Sequence, residues 1–119
     1  MPTSNIAAAV LTVFLAASAG PAAASPILIF DGNALKEACA DGAAYYTYGK
    51  CAGYIIGVHD QHVLAAGADA GICFSLEDGN TADGLIDPVV AFLDGHGESL
   101  SQPASTLVLA ALKEAFPCQ

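Results

Sequence analysis

Two imidazoles and a carboxylate fall within four residues, His59-Asp60-Gln61-His62, and they are the one compact polar cluster in an otherwise apolar stretch. Histidines at i and i+3 share a helix face and offer two nitrogen ligands, but a metal site needs a third strong ligand, and His96 lies in a distant segment. A packing or capping role is the reading this spacing favours, and no metal is expected. A nucleophile reading would join Cys51 to His59, yet eight residues of helix separate them by ~12 Å, beyond hydrogen-bond reach. The chain contains no Gly-x-Ser-x-Gly, no His-Glu-x-x-His and no phosphate-cradling glycine loop. Neither an enzyme nor a cofactor site is expected.

The four cysteines, Cys39, Cys51, Cys73 and Cys118, never form a Cys-x-x-Cys pair, which argues against zinc and thioredoxin-like chemistry. Their meaning depends on compartment. The 55% hydrophobic fraction is weighted toward the amino terminus, where Ile6 to Ala19 is an unbroken apolar and small run, followed by Gly20, Pro21 and Ala22-Ala23-Ala24. As a helix, such a run of about 14 residues spans ~21 Å, short of a ~30 Å hydrocarbon core. With its small-x-small ending it reads as a secretory signal peptide over residues 1–24. Because Met1 to Asn5 carries no lysine or arginine, an uncleaved anchor is the competing reading. Export, with cleavage after Ala24, leaves a mature domain of residues 25–119 in an oxidising compartment, with no further membrane contact, where the cysteines are expected as two disulfides.

Charge excludes another class. Twelve acidic residues against three lysines and no arginine give a net −9, so no clustered basic face is available to bind a nucleic-acid backbone. An acidic field of this kind either keeps an exported protein soluble or speeds its association with a cationic protein partner.

Glycines, prolines and caps punctuate the mature chain into four helical segments. Asp31 is placed to cap a first helix carrying Leu35, Ala38 and Cys39 on one face, with Phe30 as a staple onto Leu35 and a stop near Asp41-Gly42. The longest segment runs from about Ala44 to Ala66, with Tyr54, Ile55, Val58, His62 and Ala65 on one face and Gly67 as C-terminal cap. Within it Gly49, Gly53 and Gly57 recur every four residues. Each costs about 1 kcal/mol against alanine in a helix interior, so a second backbone packed over the stripe is expected to compensate. A loop from Asp69 to Gly79 holds Cys73. The third helix opens near Asn80 or Thr81 and carries Leu85, Ile86, Val89, Val90, Phe92 and Leu93; Pro88 in its interior predicts a kink or a late start. The fourth starts near Pro103, with Ser101 and Gln102 as candidate caps, and ends at Pro117. The result is an all-α, small four-helix domain stapled by two disulfides.

Four cysteines permit three pairings. If the helices alternate up and down, the end of the first meets the start of the second, and the end of the second lies beside the end of the fourth, which favours Cys39–Cys51 and Cys73–Cys118. Between the last two helices, Asp94, His96, Glu98, Ser99 and Ser101 make a polar, glycine-bearing hinge, and polar loops on a stapled scaffold commonly carry contacts.

These residues together resemble the Rap/Tai family of periplasmic immunity proteins. The resemblance runs from Phe30-x-Gly32-Asn33-x-Leu35 ahead of Cys39, through Cys51-x-Gly53-Tyr54-Ile55-x-Gly57-Val58-x-Asp60 and Ile72-Cys73. It continues over Ile86 to Leu93 and Pro103-Ala104-Ser105 to Ala115-Phe116-Pro117-Cys118. It implies a small helical domain, often a homodimer, that protects a bacterium by direct binding to a peptidoglycan amidase delivered by type VI secretion, with no catalysis of its own. On that reading Asp94, His96, Glu98 and Ser101 are the expected partner-binding residues. Competing readings are an acid-stress periplasmic chaperone of the HdeA kind or another exported protein-binding module. Such chaperones usually carry many lysines, whereas this chain has only Lys36, Lys50 and Lys113.

Overall fold

The computed structural model describes Gly20, residues 27–40 and residues 44–119. The expected signal peptide, its cleavage site and the Asp41-Gly42 turn lie outside the described residues.

Four helices follow one another: α1 (Gly32–Ala38), α2 (Tyr45–Ala66), α3 (Ile86–Gly95) and α4 (Ala104–Ala115). The first begins where its cap dictates, with the Asp31 carboxylate accepting the Ala34 amide at 2.9 Å. It ends at Ala38, earlier than the turn pair beyond it implied. In α2 the start at Tyr45 and the Gly67 cap, at φ 55°, match the sequence pattern, since only glycine takes that backbone conformation without strain.

Pro88 delays α3. Residues Ala82–Leu85 form a separate 3-10 turn, and the α-helix proper opens at Ile86, which puts Pro88 in the first turn, where no intrahelical amide bond is lost. At the head of α4 the expected caps are corrected. Neither Ser101 nor Gln102 caps the helix through its side chain; Pro103 itself holds the N-cap position, and its carbonyl accepts the Thr106 and Leu107 amides.

Helix α4 packs against each of the other three, and its buried residues Leu107, Val108, Ala111 and Leu112 form the centre of the core. Leu35, Cys51, Ile55, Val89 and Leu93 close around them, each less than 2% exposed. At roughly 1.5–3 kcal/mol for each fully buried aliphatic side chain, this small set of contacts is the main source of cohesion. Among the described residues no polar or charged residue is fully buried, and no helix is long and apolar enough to cross a membrane.

Both disulfides take the topologically favoured pairing. Cys39–Cys51 ties the end of α1 to α2, and Cys73–Cys118 ties the loop after α2 to the end of the chain, each with a Cα–Cα distance of 5.0 Å. Their environments differ. Cys39 and Cys51 are 8% and 0% exposed, whereas Cys73 and Cys118 lie at the surface. Beside the outer bridge, the Cys73 amide donates to the Phe116 carbonyl at 2.8 Å, and the Phe74 ring meets Phe116 edge-on at 5.0 Å.

Candidate partner-binding surfaces

The hinge between α3 and α4 is shaped by a clamp from the other end of the chain. A 3-10 turn, Gly97–Ser99, follows α3, and buried Leu100 comes next. The Leu100 carbonyl accepts both the Asn33 amide at 3.1 Å and the Asn33 Nδ2 at 3.2 Å. The Gly32 amide donates to the Gln102 carbonyl at 3.0 Å, and the Ala104 amide returns the bond to Phe30 at 3.1 Å. Asp31 and Pro103 pair between them as an isolated antiparallel bridge. The hinge is therefore tied down by backbone bonds of the kind that join a short strand pair, although it reads as a loop in the sequence.

This clamp needs Gly32. A Cβ there would lie 2.5 Å from Leu107 Cδ1 and 2.8 Å from the Leu100 carbonyl oxygen. The sequence pattern did not mark Gly32 as a point of close approach. Among the described residues nothing lies within 4 Å of a Cβ built at Gly49, Gly53 or Gly57, so none of them supplies the expected second backbone over that stripe. The signal for Gly32 was present in the Phe30-x-Gly32-Asn33-x-Leu35 motif, but its partner lies 68 residues away, between Gly32 and Leu100.

Of the expected partner-binding residues, Glu98 and Ser101 are exposed on the clamped hinge. Asp94 reaches back to Lys36, its Oδ1 3.1 Å from Nζ, with both side chains well exposed, so the pair is worth at most ~1 kcal/mol. His96 is half-buried: its Nδ1–H donates to the Phe92 carbonyl at 2.8 Å while its ring stacks on Phe92 with centroids 3.9 Å apart. The imidazole is thus tethered and stacked on its own helix. The structure thus gathers these four residues at one end of α3 and leaves Glu98 and Ser101 the freest to touch another molecule.

The other histidines serve separate ends. His59 Nδ1 lies 2.9 Å from Asp60 Oδ1, and its ring stands edge-on to Phe74 at 6.0 Å, leaving Nε2 buried without a hydrogen-bond partner. His62 instead donates through Nε2 to the Ala70 carbonyl at 2.8 Å, pinning the turn after α2. The two imidazoles are directed at different partners, and among the described residues no cluster of three metal-ligating side chains occurs.

On the flank of α2, the Phe30 ring lies against Tyr54 with centroids 4.8 Å apart and planes tilted by 36°. Lys50 Nζ covers the Phe30 ring at 5.6 Å. A shallow apolar groove of about 600 Å³ opens beside them, lined by Gly53, Tyr54, Gly57, Val58, His62 and Leu109 among others.

Comparison with curated proteins and with solved structures returns no match. The family model of Rap1a immunity proteins matches residues 31–118, which takes in both bridges, the α1 clamp and the hinge. A match over that much of the chain settles its kinship: it belongs to the Rap1a immunity protein family.

Proposed function

We propose that this chain is exported to the periplasm, where it binds and inhibits a peptidoglycan amidase delivered by type VI secretion. Family membership implies an immunity protein acting on a partner effector, and such families are generally non-enzymatic. The observation that carries the finer reading is the pair of disulfides on a small bundle, since bridges of this kind persist in oxidising compartments. An amidase that attacks peptidoglycan acts in that same space.

The mode of inhibition is direct binding through the clamped hinge, with Asp94, His96, Glu98 and Ser101 on the contact surface. A rigid loop loses little conformational freedom on association, so more of its contact energy appears as affinity. An acidic protein of net −9 also accelerates its encounter with a cationic effector surface.

The test is to purify the mature chain from periplasm and assay the amidase encoded beside it on purified peptidoglycan. Stoichiometric loss of hydrolysis, with a stable complex on gel filtration, is the expected result. Full amidase activity in the presence of excess protein would refute the proposal.

A further inference from the structure

Among the described residues one buried side-chain polar atom has no hydrogen-bond partner, and it is His59 Nε2. The His59 side chain is 12% exposed, and its Nδ1 lies 2.9 Å from Asp60 Oδ1. An ionised carboxylate only accepts, so the proton between the two belongs to Nδ1 and Nε2 carries a bare lone pair. A buried acceptor without a donor is unfavourable, and such a group calls for an explanation.

A pocket of about 230 Å³ opens against this ring, with walls of Ile56, Phe74, Leu76 and Leu85 and with Asp60 at its edge. The walls are largely fixed in advance. Phe74 meets Phe116 edge-on at 5.0 Å and His59 at 6.0 Å, and it packs against the backbone of Gly84, 3.6 Å from where a Cβ would stand. Beyond it the loop is held by Asn80 Nδ2, which donates to the Ser75 carbonyl at 2.9 Å, and by the Glu77 amide, which donates to Ser75 Oγ at 3.1 Å. Leu76, 62% exposed on the three-residue turn Leu76–Asp78, is the wall freest to swing.

We propose that this pocket binds a single phenolic ring, its hydroxyl donating to His59 Nε2 and its carbons covered by Ile56, Phe74, Leu76 and Leu85. Size fits the ring, since an apolar cavity of about 150 Å³ already holds benzene. The lone pair selects a donor. Charge is excluded on both sides: an ammonium group would give up its water against apolar walls, and an anion would face the lone pair and the Asp60 carboxylate. A neutral hydroxyl on a ring meets all three conditions. None of these residues belongs to the hinge, so the proposal does not rest on the amidase reading.

Titration of the isotopically labelled mature chain with phenol, followed by NMR, tests it. The expected result is saturable shifts confined to the pocket residues, His59 Nε2 included, with a dissociation constant of about 1 mM or below. His59→Phe keeps a ring but deletes the acceptor; it should weaken phenol at least about tenfold and leave toluene, which has no donor, within about twofold. Asp60→Ala, at a side chain 71% exposed, removes the group that holds the proton on Nδ1 without disturbing the core. It should weaken phenol several-fold relative to toluene, while the imidazole nitrogen shifts report the proton moving to Nε2. N-acetyltyrosinamide carries the same ring on a peptide: tighter binding than phenol assigns the ring to a tyrosine of another protein, and weaker binding assigns it to a free small molecule. Shifts that fail to saturate, or that map to the groove beside Tyr54, overturn the proposal. So does a phenol-to-toluene ratio that neither substitution moves.

Discussion

Replacing Gly32 by alanine adds one methyl group at the most crowded of the described glycine positions. That methyl would stand 2.5 Å from Leu107 Cδ1, 2.8 Å from the Leu100 carbonyl oxygen and 2.9 Å from Leu100 Cα. Leu107 is only 3% exposed and has nowhere to swing, and the Leu100 atoms are backbone. Relief therefore requires α1 to move off the hinge, stretching the Gly32–Gln102 and Asn33–Leu100 hydrogen bonds, now 3.0 and 3.1 Å. Overpacking costs about 1–3 kcal/mol and two weakened hydrogen bonds about 1 kcal/mol each, against which alanine regains less than about 1 kcal/mol of helix propensity. The net expectation is a loss of about 3 kcal/mol. In a domain of this size that lowers the melting temperature by about 12–24 °C. Thermal unfolding of the oxidised mature chain, followed by circular dichroism at low protein concentration, reads the change directly. Gly49→Ala is the control: with open space at that position it should raise the melting temperature by a few degrees. A Gly32→Ala protein that melts within about 3 °C of the parent would show that the clamp yields easily and would refute the argument.

Under graded reduction the surface bridge Cys73–Cys118 should open before the buried Cys39–Cys51; alkylation with mass mapping should label Cys73 and Cys118 first. Removing the outer bridge by Cys73→Ser with Cys118→Ser should cost up to about 4 kcal/mol in chemical denaturation, from the chain freed on unfolding. Reversing Asp94 and Glu98 to lysine should slow association with the effector several-fold at low salt and flatten its ionic-strength dependence in stopped-flow kinetics; unchanged rates would take the hinge out of the contact surface. His62→Ala should destabilise the fold by about 1–3 kcal/mol, because the Ala70 carbonyl, on a residue 3% exposed, loses its donor.

Features set by neighbouring residues were readable in the sequence. Asp31 caps α1, Gly67 closes α2, and Pro88 forces the late start of α3, each through a contact within a turn or two. The disulfide pairing followed from helix order alone, because alternating helices bring specific ends together. What was hidden depends on residues far apart in sequence. Ser101 and Gln102 look like helix caps, but their segment is recruited by α1 through backbone bonds that no local pattern encodes. For the same reason the stripe of glycines in α2 stood out in the sequence and Gly32 did not. Repetition is visible along a chain, whereas a single close approach is visible only across it. The hinge was legible as polar and glycine-bearing, and its rigidity was not.

The bonds between Phe30–Asn33 and Leu100–Ala104 also bear on the order in which the protein folds. They close a contact between Gly32 and Leu100 that spans 68 residues, and a loop of that length is costly to shut. Helix α1, with seven residues, is too short to persist alone, but the Cys39–Cys51 bridge tethers it to α2 whether or not the distant segment has arrived. Oxidation of the inner pair thus shortens the search that the hinge must complete.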